Sequence, residues 1–313
     1  MALCCSAVLR DVSKLGLMKT LTPISELFNA ITASPFRIAP EAATGLEAEI
    51  ARLDISLEFT DEPRVYAEYV VSQAKVRLGV AFLSALWTAA YGYIDAFHEY
   101  QAAQRRGERY FALGHVPRVA DAYALYCSAR EAVAAFAPFD WPQGTSKPLR
   151  YPFEHSDGYA ANELFLVAIA WIIHHEIAHG RLGHEEFTMT SITQEVEADA
   201  SATRWICAGE TDNLRLQKRA MGVATAIVFL LALDLQVGRT TTTTHPPSFE
   251  RLMNNLDNTG LDEDQMTYAF AFVLVDIHLA EQGIDGDVVR DGTFRDMCVS
   301  ACMLLRSLGR GEA

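Results

Sequence analysis

One stretch of this chain constrains its fold more than any other. From Asn162 to Ile173 the sequence is almost wholly apolar and of helical length, and it runs directly into His174-His175-Glu176-Ile177-Ala178-His179. A helix that is apolar all round is a buried one. Three consecutive polar residues, His174 to Glu176, therefore fall where the helix ought to stay apolar. Buried polar groups are costly without partners. Positions i and i+4 share a helix face, so the pattern H-E-x-x-H sets the imidazoles of His175 and His179 side by side. Two such imidazoles can bind one zinc ion, with Glu176 in reach of a water on that ion as general base. A metal is the simplest partner for two of the three polar residues.

A catalytic zinc takes three protein ligands and keeps one position open. Downstream lies Thr193-Gln-Glu-Val-Glu-Ala-Asp199, in which Glu195, Glu197 and Asp199 are all candidates. Glu195 and Asp199 are four apart and share a helix face, whereas Glu197 points to roughly the opposite side, toward solvent. We place Glu195 on the metal. Asp199 suits a hydrogen bond to the free N–H of a ligand histidine, which fixes its tautomer. His184 is a loop residue or a support behind the ligands. The metzincin pattern needs Gly at 182 and His at 185, and these positions hold Leu182 and Glu185.

A third segment reads Thr244-His-Pro-Pro-Ser-Phe-Glu-Arg251. The prolines hold the chain extended after His245, and Arg251 falls on the first turns of a new helix. His245 is a candidate donor to the oxyanion of a tetrahedral intermediate. Arg251 is a candidate partner for Asp199. Taken alone, the segment reads as a loop and a helix start.

These three segments, in this order, resemble those of the gluzincin metallopeptidases, in particular the Ste24 and HtpX-type branch with H-E-x-x-H, E-x-x-A-D and H-P-x-x-x-x-R. The short gap before Glu195, the Gly183-His184 pair and the size are more similar to the Lit-like phage-exclusion peptidases. The resemblance spans residues 160–255, and the N-terminal half carries no matching motif. It implies a zincin-like fold, one zinc ion and a bacterial endopeptidase of phage exclusion. It further implies a protein substrate of the translation-factor kind and a cytoplasmic enzyme that is at most peripheral at the inner membrane.

Net charge is −14 with pI about 5.1, which argues against nonspecific nucleic-acid binding. The six cysteines, Cys4, Cys5, Cys127, Cys207, Cys298 and Cys302, match neither a zinc ribbon nor a disulfide framework. Cys4-Cys5 is a weak candidate for acylation, and the N-terminus lacks the basic region of a signal peptide. The longest uncharged runs, Leu78 to Ile94 and Ala220 to Leu233, are 17 and 14 residues, against about 20 for a membrane span. Both read as buried helices.

Along the chain, residues 1–45 are at best helical, with Pro23, Pro35 and Pro40 as breaks. Asp54–Thr60 and Arg64–Ser72 alternate apolar and polar residues around Asp61-Glu-Pro63 and read as a strand pair, which Lys75–Leu78 extends. Helices follow at 82–104 and 119–135. The Pro- and Gly-rich loop 138–152 is a candidate carrier of substrate-binding residues. Further helices cover 193–208, 215–236, 262–283 and 291–308. The expected architecture is one domain over 1–313, mainly α (α+β), with a small β-sheet region at 45–80 and a zinc-site core at 155–255. The expected function is a zinc endopeptidase. The alternative is a non-catalytic regulatory or binding protein on a zincin fold, which loss of Glu176 would have favoured.

Overall fold

The computed structural model describes residues 22–108, 113–184, 191–238, 245–284 and 292–308. Cys4, Cys5 and the threonine run 240–244 lie outside them. The described chain is mainly α-helical with one small sheet. After a 3-10 turn at Pro23–Leu27 come α1 (Phe28–Ile38), α2 (Ala43–Leu53), β1 (Ser56–Thr60), β2 (Ala67–Val70) and β3 (Lys75–Gly79). Seven helices follow: α3 (Val80–Arg105), α4 (Pro117–Ala134), α5 (Asp157–Leu182), α6 (Ser191–Cys207), α7 (Asn213–Gln236), α8 (Ser248–Asp257) and α9 (Met266–Glu281), with α10 (Phe294–Leu308) closing the chain.

Pro35 does not break the first helix but sits inside α1. Proline has no N–H to offer the carbonyl four residues back, and Ser34 Oγ donates to that carbonyl, on Ile31, at 2.8 Å instead. The strand pair expected from 54–60 and 64–72 is also corrected. The order is β1-β3-β2, with β3 parallel to β1 and antiparallel to β2. Charge explains why β3 lies between them. Glu58 of β1 and Glu68 of β2 are both acidic and both pair in register with Arg77 of β3, and like charges across a ladder destabilise it. On β3, Lys75 Nζ meets Glu58 at 2.7 Å, and Arg77 reaches Glu68 at 2.7 Å and Glu62 at 2.9 Å. The opposite face turns Leu57, Phe59, Val76 and Leu78 into the core.

The center of the molecule is α5, which packs against α1, α3, α6, α7 and β2. Ser156 caps its N-terminus by accepting from the Tyr159 N–H at 3.1 Å. From Phe165 to Ala178 all but Leu166 are buried. Gly222 allows α7 to approach closely, because a Cβ there would overlap Val167 of α5. The loop before α5 is pinned by Asn162, whose Nδ2 donates to the Leu149 carbonyl at 2.8 Å and whose Oδ1 accepts from Trp87 Nε1 at 2.7 Å. That loop therefore sits at the end of α5 remote from His175, about 20 Å away at the helical rise of 1.5 Å per residue.

Three helices, α3, α5 and α7, are long and apolar enough to cross a membrane, although 100, 78 and 72% of their most apolar windows is buried inside the fold. The two uncharged runs that read as buried helices, Leu78 to Ile94 and Ala220 to Leu233, lie largely in α3 and α7. The helices extend beyond those runs through charged residues at their ends.

Candidate functional site

Helices α5 and α6 pack face to face and bring the first two motifs together. His175 Nε2 and His179 Nε2 lie 3.2 Å apart. Glu195 Oε2 is 3.2 Å from the first, and Glu195 Oε1 is 3.5 Å from the second. These three side chains form a group whose donor atoms all lie within 4.8 Å of one another. The carboxylate is buried, and its Oε2 makes no hydrogen bond of acceptable direction despite its near neighbors. Two imidazole nitrogens and one orphaned carboxylate oxygen, all turned to one point, form a donor set that fits a zinc-sized cation.

The electrostatics agree. Burial opposes charge on His175, but Asp199 and Glu195 outweigh it and push the imidazole up to about 10. Burial and the charge on His175 push His179 down to about 4. The same burial would raise Glu195, yet His175 holds it at about 2. The buried carboxylates thus favor positive charge at this point.

Glu176 lies beside the pair and is 9% exposed. Burial pushes its carboxyl up to about 7, opposed by His175 and the backbone amide of Tyr69 on β2. The Tyr69 ring fits over Gly180, where a Cβ would stand 2.6 Å from its hydroxyl oxygen. A carboxyl near neutrality can both take and return a proton at working pH.

Asp199 supports His175 from behind, with Oδ1 2.8 Å from Nδ1, though Nδ1 lies off the ideal hydrogen-bond line. Arg251 of α8 donates to both Asp199 oxygens, at 2.8 and 2.7 Å, with both side chains buried. Burial would raise the Asp199 carboxyl, but Arg251 and His175 hold it well below the usual range. His245 is half exposed, with Nε2 3.3 Å from Glu195 Oε2, so the third segment also reaches the site.

Several neighbors were not apparent from sequence. Asn255 donates to the Arg251 carbonyl at 2.8 Å and to Asp199 at 3.4 Å. Thr203 Oγ1 donates to Asn255 Oδ1 at 2.5 Å and accepts from Trp171 Nε1 at 3.0 Å. Spacing held the clue, since Asn255 follows Arg251, and Thr203 follows Asp199, by one helical turn. His174 turns away from His175, His179 and Glu195. It stacks on Trp205 and lies 3.4 Å from the Pro35 carbonyl, and burial pushes it down to about 4, so it serves as a neutral peg for α1. Glu197 is exposed yet not merely solvated, because it lies 3.1 Å from His184 Nε2. A second group, Asp95, His98 and Asp157, also gathers donor atoms. There Arg118 already bridges Asp95 and Asp157, so the protein supplies the cation itself.

Comparison with known proteins gives two matches and one absence. The family model described as Peptidase U49 matches residues 76–271, which span β3 to α9 and include every residue of the site except Tyr69. The chain is 32% identical over 260 residues to the cell death peptidase of Escherichia coli strain K12, covering 81% of this chain and 88% of that protein. No solved structure matches.

Proposed function

We propose that this chain, which belongs to the Peptidase U49 family, is a zinc-dependent endopeptidase that hydrolyzes a peptide bond in a protein substrate. The observation that carries the reading is the convergence of His175, His179 and Glu195 next to a buried Glu176 whose carboxyl lies near neutrality. In this reading those three residues hold the ion, which when bound supplies Lewis acidity and a lowered water pKa.

The remaining chemistry belongs to the side chains. Glu176 accepts the proton of the attacking water and returns it to the leaving amine. His245, at the open edge beside Glu195, donates to the oxyanion of the tetrahedral intermediate. Asp199 and Arg251 hold His175 in place from behind. The resemblance to phage-exclusion peptidases supports a role in abortive infection with a translation factor as substrate. The printed name of the Escherichia coli relative, a cell death peptidase, is compatible with that role.

The test pairs metal analysis of the purified protein with mapping of new protein N-termini in bacteria expressing it. Wild type is expected to carry one zinc and to generate new N-termini. Glu176→Gln is expected to keep the zinc and lose cleavage by at least about 10²-fold. Undiminished cleavage by a zinc-loaded Glu176→Gln protein refutes the mechanism. Cleavage by wild type stripped of metal refutes the zinc.

A further inference from the structure

The residues just after α5 take the chain back toward the metal group. Gly183 adopts a left-handed conformation, φ 69°, at the end of the helix, a region where side chains with a Cβ are disfavored. The next N–H, of His184, closes on the His179 carbonyl at 3.0 Å. This turn buries His184, leaving it 8% exposed. It also brings His184 Nδ1 to 2.9 Å from His179 Nδ1, with the rings at 69° to one another. The other nitrogen, His184 Nε2, lies 3.1 Å from Glu197 Oε2.

For a neutral His184 the tautomers follow from these contacts. Two imidazole nitrogens at hydrogen-bond distance need one proton between them, on one side or the other. If His184 Nδ1 carried it, neutral His184 would turn a bare Nε2 lone pair at the Glu197 carboxylate, which has only lone pairs to offer. If His179 Nδ1 carries it, His184 accepts at Nδ1 and donates from Nε2 to Glu197, and every contact is satisfied. The second arrangement leaves the lone pair of His179 on Nε2, the atom that faces His175 and Glu195.

From this geometry we propose that His184 and Glu197 form a positioning dyad that fixes the tautomer and ring orientation of His179. The dyad rests on the zinc reading for its purpose, but not for its hydrogen bonds. It makes α6 support both His175 and His179 of α5. Asp199 backs His175 directly, and Glu197 backs His179 through His184. Neither member touches the reacting atoms.

The experiment has a metal-free arm and a cobalt arm, both on the full chain. In metal-free protein, nitrogen-15 NMR of the histidine rings is expected to show His179 protonated at Nδ1. Glu197→Ala, an exposed substitution, is expected to give a mixture of tautomers. A bare Nδ1 on wild-type His179, or an unchanged tautomer in both Glu197→Ala and His184→Ala, overturns the dyad.

In the cobalt arm, His184→Ala is expected to weaken Co²⁺ binding about 10- to 100-fold, the usual cost of losing such a support, and to shift the visible cobalt bands. His184→Asn keeps an acceptor near the Nδ1 position and is expected to recover most of the affinity. Unchanged cobalt affinity and spectrum in His184→Ala overturn the dyad. Absence of cobalt binding in wild type, with the tautomers responding as expected, overturns the zinc reading and supports the dyad.

Discussion

Removing Arg251 probes the joint between the third segment and the other two. In Arg251→Ala, Asp199 loses both of its short hydrogen bonds, at 2.8 and 2.7 Å. It stays 3% exposed until the structure relaxes. Its remaining neighbors are Asn255 Nδ2 at 3.4 Å, a weak donor, and His175 Nδ1 at 2.8 Å. Breaking a buried ion pair from one side costs about 3–5 kcal/mol. The two surviving neighbors put the expected loss near the lower end, at about 3 kcal/mol. With a urea dependence of about 3 kcal/mol per molar, the unfolding midpoint falls by about 1 M. Trp171, whose ring lies 6.0 Å from the guanidinium carbon, is a local fluorescence probe.

The stranded charge is the source of the loss, so Asp199→Asn in the Arg251→Ala background should recover at least about 1 kcal/mol. The pH dependence is a further check. The folded-state pKa of Asp199 is depressed below its ordinary 3.8. The stability it contributes is therefore complete above about pH 4 and is lost progressively as pH falls below that value. The gap between wild type and Arg251→Ala should narrow in the same window. A loss under 1 kcal/mol at neutral pH, or a further loss from Asp199→Asn, refutes the reasoning.

Three other outcomes follow from the structure. Gly222→Ala gains about 1 kcal/mol of helix propensity but drives its methyl into Val167, for a net loss of about 0–2 kcal/mol against overpacking costs of about 1–3; a rise in melting temperature refutes the close approach. Glu281 accepts from His278 Nδ1 at 2.7 Å and from Arg130 at 2.9 and 3.0 Å. Burial would raise it, but these partners hold it well below 4.5, so its stabilization is present above about pH 4.5 and fades below. Glu281→Gln should cost about 1.5–3 kcal/mol in urea unfolding at pH 7 and less at pH 3, and a constant difference contradicts the assignment. His245→Ala should lower turnover about 10²-fold without moving the unfolding midpoint, and an equal loss of zinc affinity would make His245 a ligand instead.

Much of the site was legible because its parts obey helical spacing. His175 and His179 declare a shared face, as do Glu195 and Asp199, and a buried carboxylate without a cation called for Arg251. Glu197 does face solvent, as its place on the wheel implies, but its contact with His184 escaped the reading for a reason of geometry. A helical wheel divides α6 into a site side and a solvent side, assuming that the partner approaches from one direction. The turn at Gly183 brings His184 around to the other. The sheet order was hidden because alternation reports which residues face inward but not which strand lies beside which. The charges on Glu58, Glu68, Lys75 and Arg77 held that information. Pro35 was misread as a break because the sequence did not reveal that a neighboring serine could stand in for the missing donor.

The hydrogen-bonded chain from Trp171 through Thr203 and Asn255 to Asp199 also bears on when this chain can act. Its members lie on α5, α6 and α8, and Asp199 is 52 residues from Arg251 and 56 from Asn255. A ribosome delivers α5 and α6 well before α8, and contacts this far apart in sequence close late. Until α8 docks, Asp199 lacks the paired hydrogen bonds of Arg251 and the contact from Asn255. A nascent chain, or one cut short before Ser248, thus carries His175, His179 and Glu195 without the residues of α8 that hold Asp199 behind them.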